Sequence, residues 1–124
     1  MKKEIIAEGV DAVPGILSQA IDTGSLVFVS GQISITNDGV VLAGSVEEKI
    51  AQIMSNISAI LGAADLSLDS IVKATVYVTD LAQMPDLNKF YPTYFSAPYP
   101  AREAICVKEL PLGATIEISV IAAR

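Results

Sequence analysis

Residues Tyr99–Ala122 read YPAREAICVKELPLGATIEISVIA. Two runs rich in apolar and β-branched residues, Ala101–Val107 and Thr115–Ala122, flank KELPLGA, whose Pro and Gly mark a turn. The spacing predicts a closing β-hairpin. In its second strand Ile116, Ile118, Val120 and Ala122 alternate with Thr115, Glu117 and Ser119, so one face is apolar and the other polar. Arg102 near the start of the first strand and Glu117 in the second stand out in so apolar a pair. They read either as a surface ion pair, worth about 0–1 kcal/mol, or as parts of a pocket that holds a small carboxylate and activates a water.

The chain before this stretch supplies the rest of one domain, residues 1–124. Lys2–Ile6 reads as a short first strand. Gln19–Asp22 and Leu26–Ile33 read as a hairpin around a tight turn at Thr23–Ser25. TNDGVV is a turn in which Asp38-Gly39 offers a positive φ. Ser45 and Glu48 then form an S-x-x-E capping box. It opens a helix whose apolar stripe is Ile50, Ile53, Met54, Ile57, Ile60 and Leu61, with Gly62 where the pattern ends. SIVKATVYVTD predicts a strand over Ile71–Thr79, with Val72, Ala74, Val76 and Val78 on one face and Lys73, Thr75 and Tyr77 on the other. A second helix is expected over Pro85–Phe95, kinked by Pro92. The order is β-β-β-α-β-α-β-β. Two helices cover one face of such a sheet, an α+β arrangement. The other face, carrying Thr75, Tyr77, Glu117 and Ser119, is expected to meet other subunits.

Composition narrows the chemistry. A chain of 124 residues can bury roughly two-thirds of its unfolded surface. Apolar residues make up 52% of it and mean hydropathy is +0.52, which points to apolar surface hidden between subunits. No apolar run approaches the roughly 20 residues of a membrane helix, and the start shows no signal peptide. The single cysteine, Cys106, excludes an internal disulfide and fits a reducing compartment, so a cytoplasmic location is expected. Cys106 itself reads as inert core or interface. With no histidine there is no Ser-His or Cys-His machinery. Acid spacing fits no calcium loop and no phosphate-binding glycine motif occurs, so neither metal nor cofactor is expected. A net charge of −6 with only eight scattered Lys and Arg disfavours nucleic acid as a partner. The remaining tools are Arg, Glu, Asp, Tyr, Ser, backbone groups and water.

Taken in order, VFVSGQI, AADLSLDSIVKATVYVTDL, LNKFYPTYF and PAR....V.ELP.GA.IEI make the whole chain resemble the RidA/YjgF family of enamine/imine deaminases, also called endoribonuclease L-PSP or translation inhibitor. The resemblance implies a chorismate-mutase-like mixed sheet with two helices on one face, and a homotrimer with clefts between subunits. It also implies hydrolysis of 2-aminoacrylate or 2-iminopropionate type intermediates to a keto acid and ammonia, without a cofactor. By that resemblance Arg102 clamps the substrate carboxylate, a task suited to a planar bidentate guanidinium. Glu117 holds the attacking water. Ser30 and Asn88 stand near the pocket, and Ala104 contributes only its backbone.

The chain departs from the family at one place. It reads GILSQA where members commonly read GPYSQA, so Leu17 stands in place of a tyrosine whose hydroxyl lines the family pocket. This bears on substrate range and on turnover itself. Three functions compete: imine hydrolysis, keto-acid binding by a regulatory protein with little turnover, and RNA cleavage. The acidic pI of about 4.4 and the absent histidine weigh against the last. For each residue an ordinary role stands beside the functional one. Ser30 beside Gly31 can shape a bulge, Asn88 can be a solvated helix residue, and Glu117 can pair across the sheet.

Overall fold

The computed structural model describes residues 1–124. Its strands are β1 (Lys3–Ile5), β2 (Ala20–Asp22), β3 (Leu26–Ile33), β4 (Ile71–Val78), β5 (Ala101–Cys106) and β6 (Ile116–Ala123). Its helices are α1 (Val46–Ala63) and α2 (Met84–Phe90). They alternate along the chain as the sequence predicts. The strands form one six-stranded mixed sheet in the order β1-β2-β3-β6-β4-β5.

That order overturns the closing hairpin. β5 and β6 are not neighbours: β4 lies between them, parallel to β5 and antiparallel to β6. Alternation in β6 specifies which side chains face the core, not which strand lies alongside. The connection over residues 107–115 is also longer than the two to five residues of a tight hairpin. β6 is central because its apolar face is buried throughout, whereas every residue of β5 is exposed at the sheet edge. Cys106 is therefore exposed in the protomer and not part of its core.

Local chemistry accounts for the helices. The Ser45 hydroxyl accepts from the Glu48 N–H at 3.2 Å, and the Glu48 carboxylate accepts from the Ser45 N–H at 3.1 Å, so two of the first-turn donors are satisfied. At the other end Asp65, at φ +60°, takes the left-handed position. Leu66 N–H then bonds the Leu61 carbonyl and Asp65 N–H that of Gly62, each near 3 Å, which closes a Schellman motif without a glycine. α2 stops at Phe90, and Pro92 converts the expected continuation into a 3₁₀ turn over Tyr91–Tyr94.

The helices lie on one face only. Ile50, Ile53, Ile57, Ile60 and Leu61 of α1 are fully buried against Val27, Val76, Val78, Ile118 and Ala122 of the sheet. Each such side chain is worth about 1.5–3 kcal/mol of burial. Val72 is the exception to the predicted face: a bulge between Ile71 and Lys73 gives Ile71 the inner place and leaves Val72 47% exposed. The opposite face is open. Phe28, Thr75, Tyr77 and Glu117 stand on it, along with a Lys73–Glu103 ion pair at 3.1 Å. No helix is long and apolar enough to cross a membrane.

Candidate active site

A cavity of about 410 Å³ opens between the loop leading into β2, the end of β3 and the loop before β6. Its construction starts at Gln19, a buried side chain that sequence reasoning passed over. The Gln19 amide oxygen accepts from Ala7 N–H at 2.7 Å, and its amide nitrogen donates to the carbonyls of Ala7, Val10 and Asp11 at 3.1–3.3 Å. One amide thus holds the incoming loop. The Gln19 backbone carbonyl in turn accepts from Ser30 N–H at 2.9 Å. Nothing in its sequence context signals this role, because the partners are backbone groups.

Ser30 lies in the cavity wall, with its hydroxyl proton already donated to the Ser18 carbonyl at 2.6 Å. It ties β3 to the same loop and keeps only lone pairs for a ligand. Here β3 changes register against β6, between Val29 and Gln32. Gly31 in that bulge lets the Glu117 carboxylate come close: a Cβ there would lie 2.8 Å from Cδ of Glu117, so a larger residue would have to displace that group. The glycine was visible in SGQ; its partner was not.

Glu117 projects from β6 into the cavity. Burial pushes its carboxyl above the usual value of 4.5, and no neighbouring charge or hydrogen bond offsets the shift. The cavity holds a second acid, Asp11, and no lysine or arginine. Leu17 also lines it, together with Val13, Ile35 and Leu112. No three Cys, Asp or Glu side chains converge in a way that would hold a metal ion.

Arg102 is elsewhere. It sits at the sheet edge on β5, exposed, with its guanidinium carbon 5.1 Å from the centre of the Tyr91 ring. That stacking holds the group while leaving its donors free. The Tyr91 hydroxyl is buried without a partner, and burial pushes its pKa upward, so the residue is present for its ring. Asn88, exposed, lies one helical turn before Tyr91. Ala104 is two residues along β5 from Arg102, beside Val76.

The register settles how the two charged residues relate. Arg102 lies beside Ala74 and Glu117 beside Tyr77. Ala74 is buried beneath the helices, whereas Tyr77 is on the open face, three residues further along β4. Side chains alternate along a strand, so Arg102 and Glu117 point to opposite faces of one sheet. The structure brings Leu17, Ser30 and Glu117 to one cavity, whereas Arg102 and Ala104 lie on the edge strand and Asn88 on α2, outside that cavity.

These features define an α+β single-sheet protein with one helical layer, an acidic cavity at a β-bulge and a free arginine at the sheet edge. The chain belongs to the RidA/YjgF family: the family model described as endoribonuclease L-PSP matches residues 11–124. Protein HMF1 of Saccharomyces cerevisiae is 36% identical over 120 residues, 97% of this chain and 93% of its own. Reactive Intermediate Deaminase A, chloroplastic, of Arabidopsis thaliana is 41% identical over 124 residues, 98% of this chain and 66% of its own. Among solved structures, Escherichia coli TdcF with bound serine superposes with a TM-score of 0.92 at 35% identity, over 99% of each chain.

Proposed function

We propose that the protein hydrolyses small 2-imino acids, of the 2-iminopropionate type, to 2-keto acids and ammonia. The observation that carries this reading is Glu117: a half-buried carboxylate with a raised pKa and no partner, in a cavity large enough for a small acid. The relative named Reactive Intermediate Deaminase A supports the reaction class, and the serine bound to TdcF supports a small carboxylate as ligand.

In this mechanism Glu117 accepts a proton from a water as the water oxygen bonds to the imine carbon. The C=N π electrons move to nitrogen, which takes up a proton. The resulting amino alcohol collapses: the C–N bond breaks, ammonia leaves, and the hydroxyl oxygen becomes the keto oxygen after loss of its proton. One water is consumed and no redox change occurs. A carboxylate whose pKa is raised by burial is a better proton acceptor than a free one and also returns the proton to the departing nitrogen.

The substrate carboxylate needs a cation, and the cavity has none of its own. Arg102 supplies it from a neighbouring subunit in a homotrimer, which the opposed faces of Arg102 and Glu117 require if the two are to meet. The open face of the sheet, with Phe28 43% exposed, is the surface available for that assembly. The second reading, a keto-acid-binding regulatory protein, is favoured by Leu17, which brings no hydroxyl to the cavity. The net charge of −6 favours either reading over an RNA substrate.

Ammonia release from an imine generated in situ tests the proposal. Arg102→Lys should lose much of the rate and Arg102→Ala nearly all of it, because misplacing a reacting group by about 1 Å costs on the order of 100-fold. Glu117→Gln should lose turnover yet still bind the keto acid. Undiminished hydrolysis by a folded Arg102→Ala protein contradicts the mechanism. Arg102-dependent keto-acid binding without any hydrolysis by the unsubstituted protein establishes the regulator instead.

A further inference from the structure

The Tyr91 hydroxyl is the one buried side-chain polar atom without a hydrogen-bond partner, in a residue only 5% exposed. A phenylalanine would fill the same place without that cost. What the structure uses is the ring. Tyr91 opens the 3₁₀ turn that Pro92 imposes after α2, and Phe95, beyond the turn, backs it with ring centres 4.9 Å apart and planes tilted by 47°. Over the ring lies the guanidinium carbon of Arg102, 5.1 Å from its centre. Arg102 has no carboxylate partner: the ion pairs of the protomer join Lys73 to Glu103 and Arg124 to Asp22. An exposed arginine without a partner is ordinarily spread over many rotamers. This one stands over a ring fixed in the core.

We infer that Tyr91 is a positioning residue: its ring holds the Arg102 guanidinium ready for a carboxylate, so the anion-binding half of the site is preformed within one protomer. The inference rests on the reading that Arg102 binds the substrate carboxylate, and it concerns how that arginine is held. An aromatic ring attracts the face of a guanidinium, whereas a carboxylate bonds along its N–H edge, so the two contacts do not compete. Tyr91, packed in the core, acts only through Arg102. Without the ring, binding must itself order the arginine, and immobilising one such side chain weakens binding by about 3- to 10-fold. Once the ligand is bound, the clamp is the same with or without the ring. The loss therefore falls on Kd and KM and spares kcat.

The test titrates pyruvate, a 2-keto acid that cannot be deaminated, against proteins of measured Tm and follows imine hydrolysis beside it. The proteins are the unsubstituted one, Tyr91→Phe, Tyr91→Leu and Tyr91→pentafluorophenylalanine. Tyr91→Phe keeps the ring and should bind pyruvate as the unsubstituted protein does, with Tm equal or higher because the unpartnered hydroxyl is gone. The pentafluoro ring keeps the shape of phenylalanine and reverses the charge of its face. It should weaken pyruvate binding about 3- to 10-fold relative to Tyr91→Phe, with the fold maintained. Tyr91→Leu should show a loss of the same size, carried by KM in hydrolysis. Equal pyruvate affinity for the Phe and pentafluorophenylalanine proteins would overturn the inference and leave the hydrolase standing. A loss in Tyr91→Leu that appears in kcat and not in KM would also overturn it. Ring-dependent pyruvate binding without hydrolysis by the unsubstituted protein would uphold the role of Tyr91 and remove the hydrolase. No pyruvate binding by the unsubstituted protein would remove the anion site, and the role of Tyr91 with it.

Discussion

Glu117 carries an energetic cost that can be measured without any substrate. Its folded-state pKa is raised by burial, so between the unfolded and folded values the native state binds more protons than the unfolded state. Stability contributed by the protonated form is fully present below the unfolded value and is lost as pH rises through the folded one. Gln mimics the protonated carboxyl at every pH. Glu117→Gln should therefore match the unsubstituted protein in Tm below about pH 4 and exceed it increasingly toward neutrality. Thermal melts across that range check it; a Tm difference that is flat or reversed with pH would mean that the carboxylate is not desolvated. Arg102 is the counterpart. Stacked on Tyr91 at the sheet edge, it is oriented but exposed.

At the scale of elements, β3 matters most for the site because its bulge brings Gly31 against the Glu117 carboxylate. Gly31→Ala should push that carboxylate aside. The displaced group is the end of a flexible side chain, so Tm should shift little while kcat falls on the order of 100-fold, the cost of about 1 Å of misplacement. A folded Gly31→Ala protein with full kcat would show that the close approach is unimportant. Much at this scale was legible beforehand. The Ser45/Glu48 capping box and the isoleucine stripe define α1 from local spacing; Pro92, read as a kink within a helix to Phe95, instead leaves α2 ending at Phe90 and a 3₁₀ turn beyond it. Strand partnership was not legible in the same way. Both runs of Tyr99–Ala122 are strands, yet their alternation is equally compatible with pairing to each other or to opposite sides of β4. The bulge that turns Val72 outward is likewise a matter of pairing. Gln19 and Asn56, both buried, escaped notice because each is held by backbone carbonyls distant in sequence: Ala7 and Val10 for the first, Ile35 for the second.

At the scale of the whole molecule, sequence motifs marked Arg102 and Glu117 as a pair, while the register separates them onto opposite faces. Under the proposed hydrolysis the two would act on one substrate only in a unit that contains more than one chain. A ring closed by a heterologous interface satisfies this, since each protomer then gives its edge arginine to one neighbour and receives another at its own cavity. Mixing two inactive variants tests this most directly. Arg102→Ala and Glu117→Gln proteins are unfolded together, refolded at equal concentration and assayed for ammonia release, beside each variant treated alone. If every site takes Arg102 from one subunit and Glu117 from the next, random assembly gives about a quarter of the sites both intact residues. Hydrolysis should then return to about a quarter of the unsubstituted rate in the mixture and in neither variant alone. A refolded, mixed oligomer with no recovered activity would contradict the shared site.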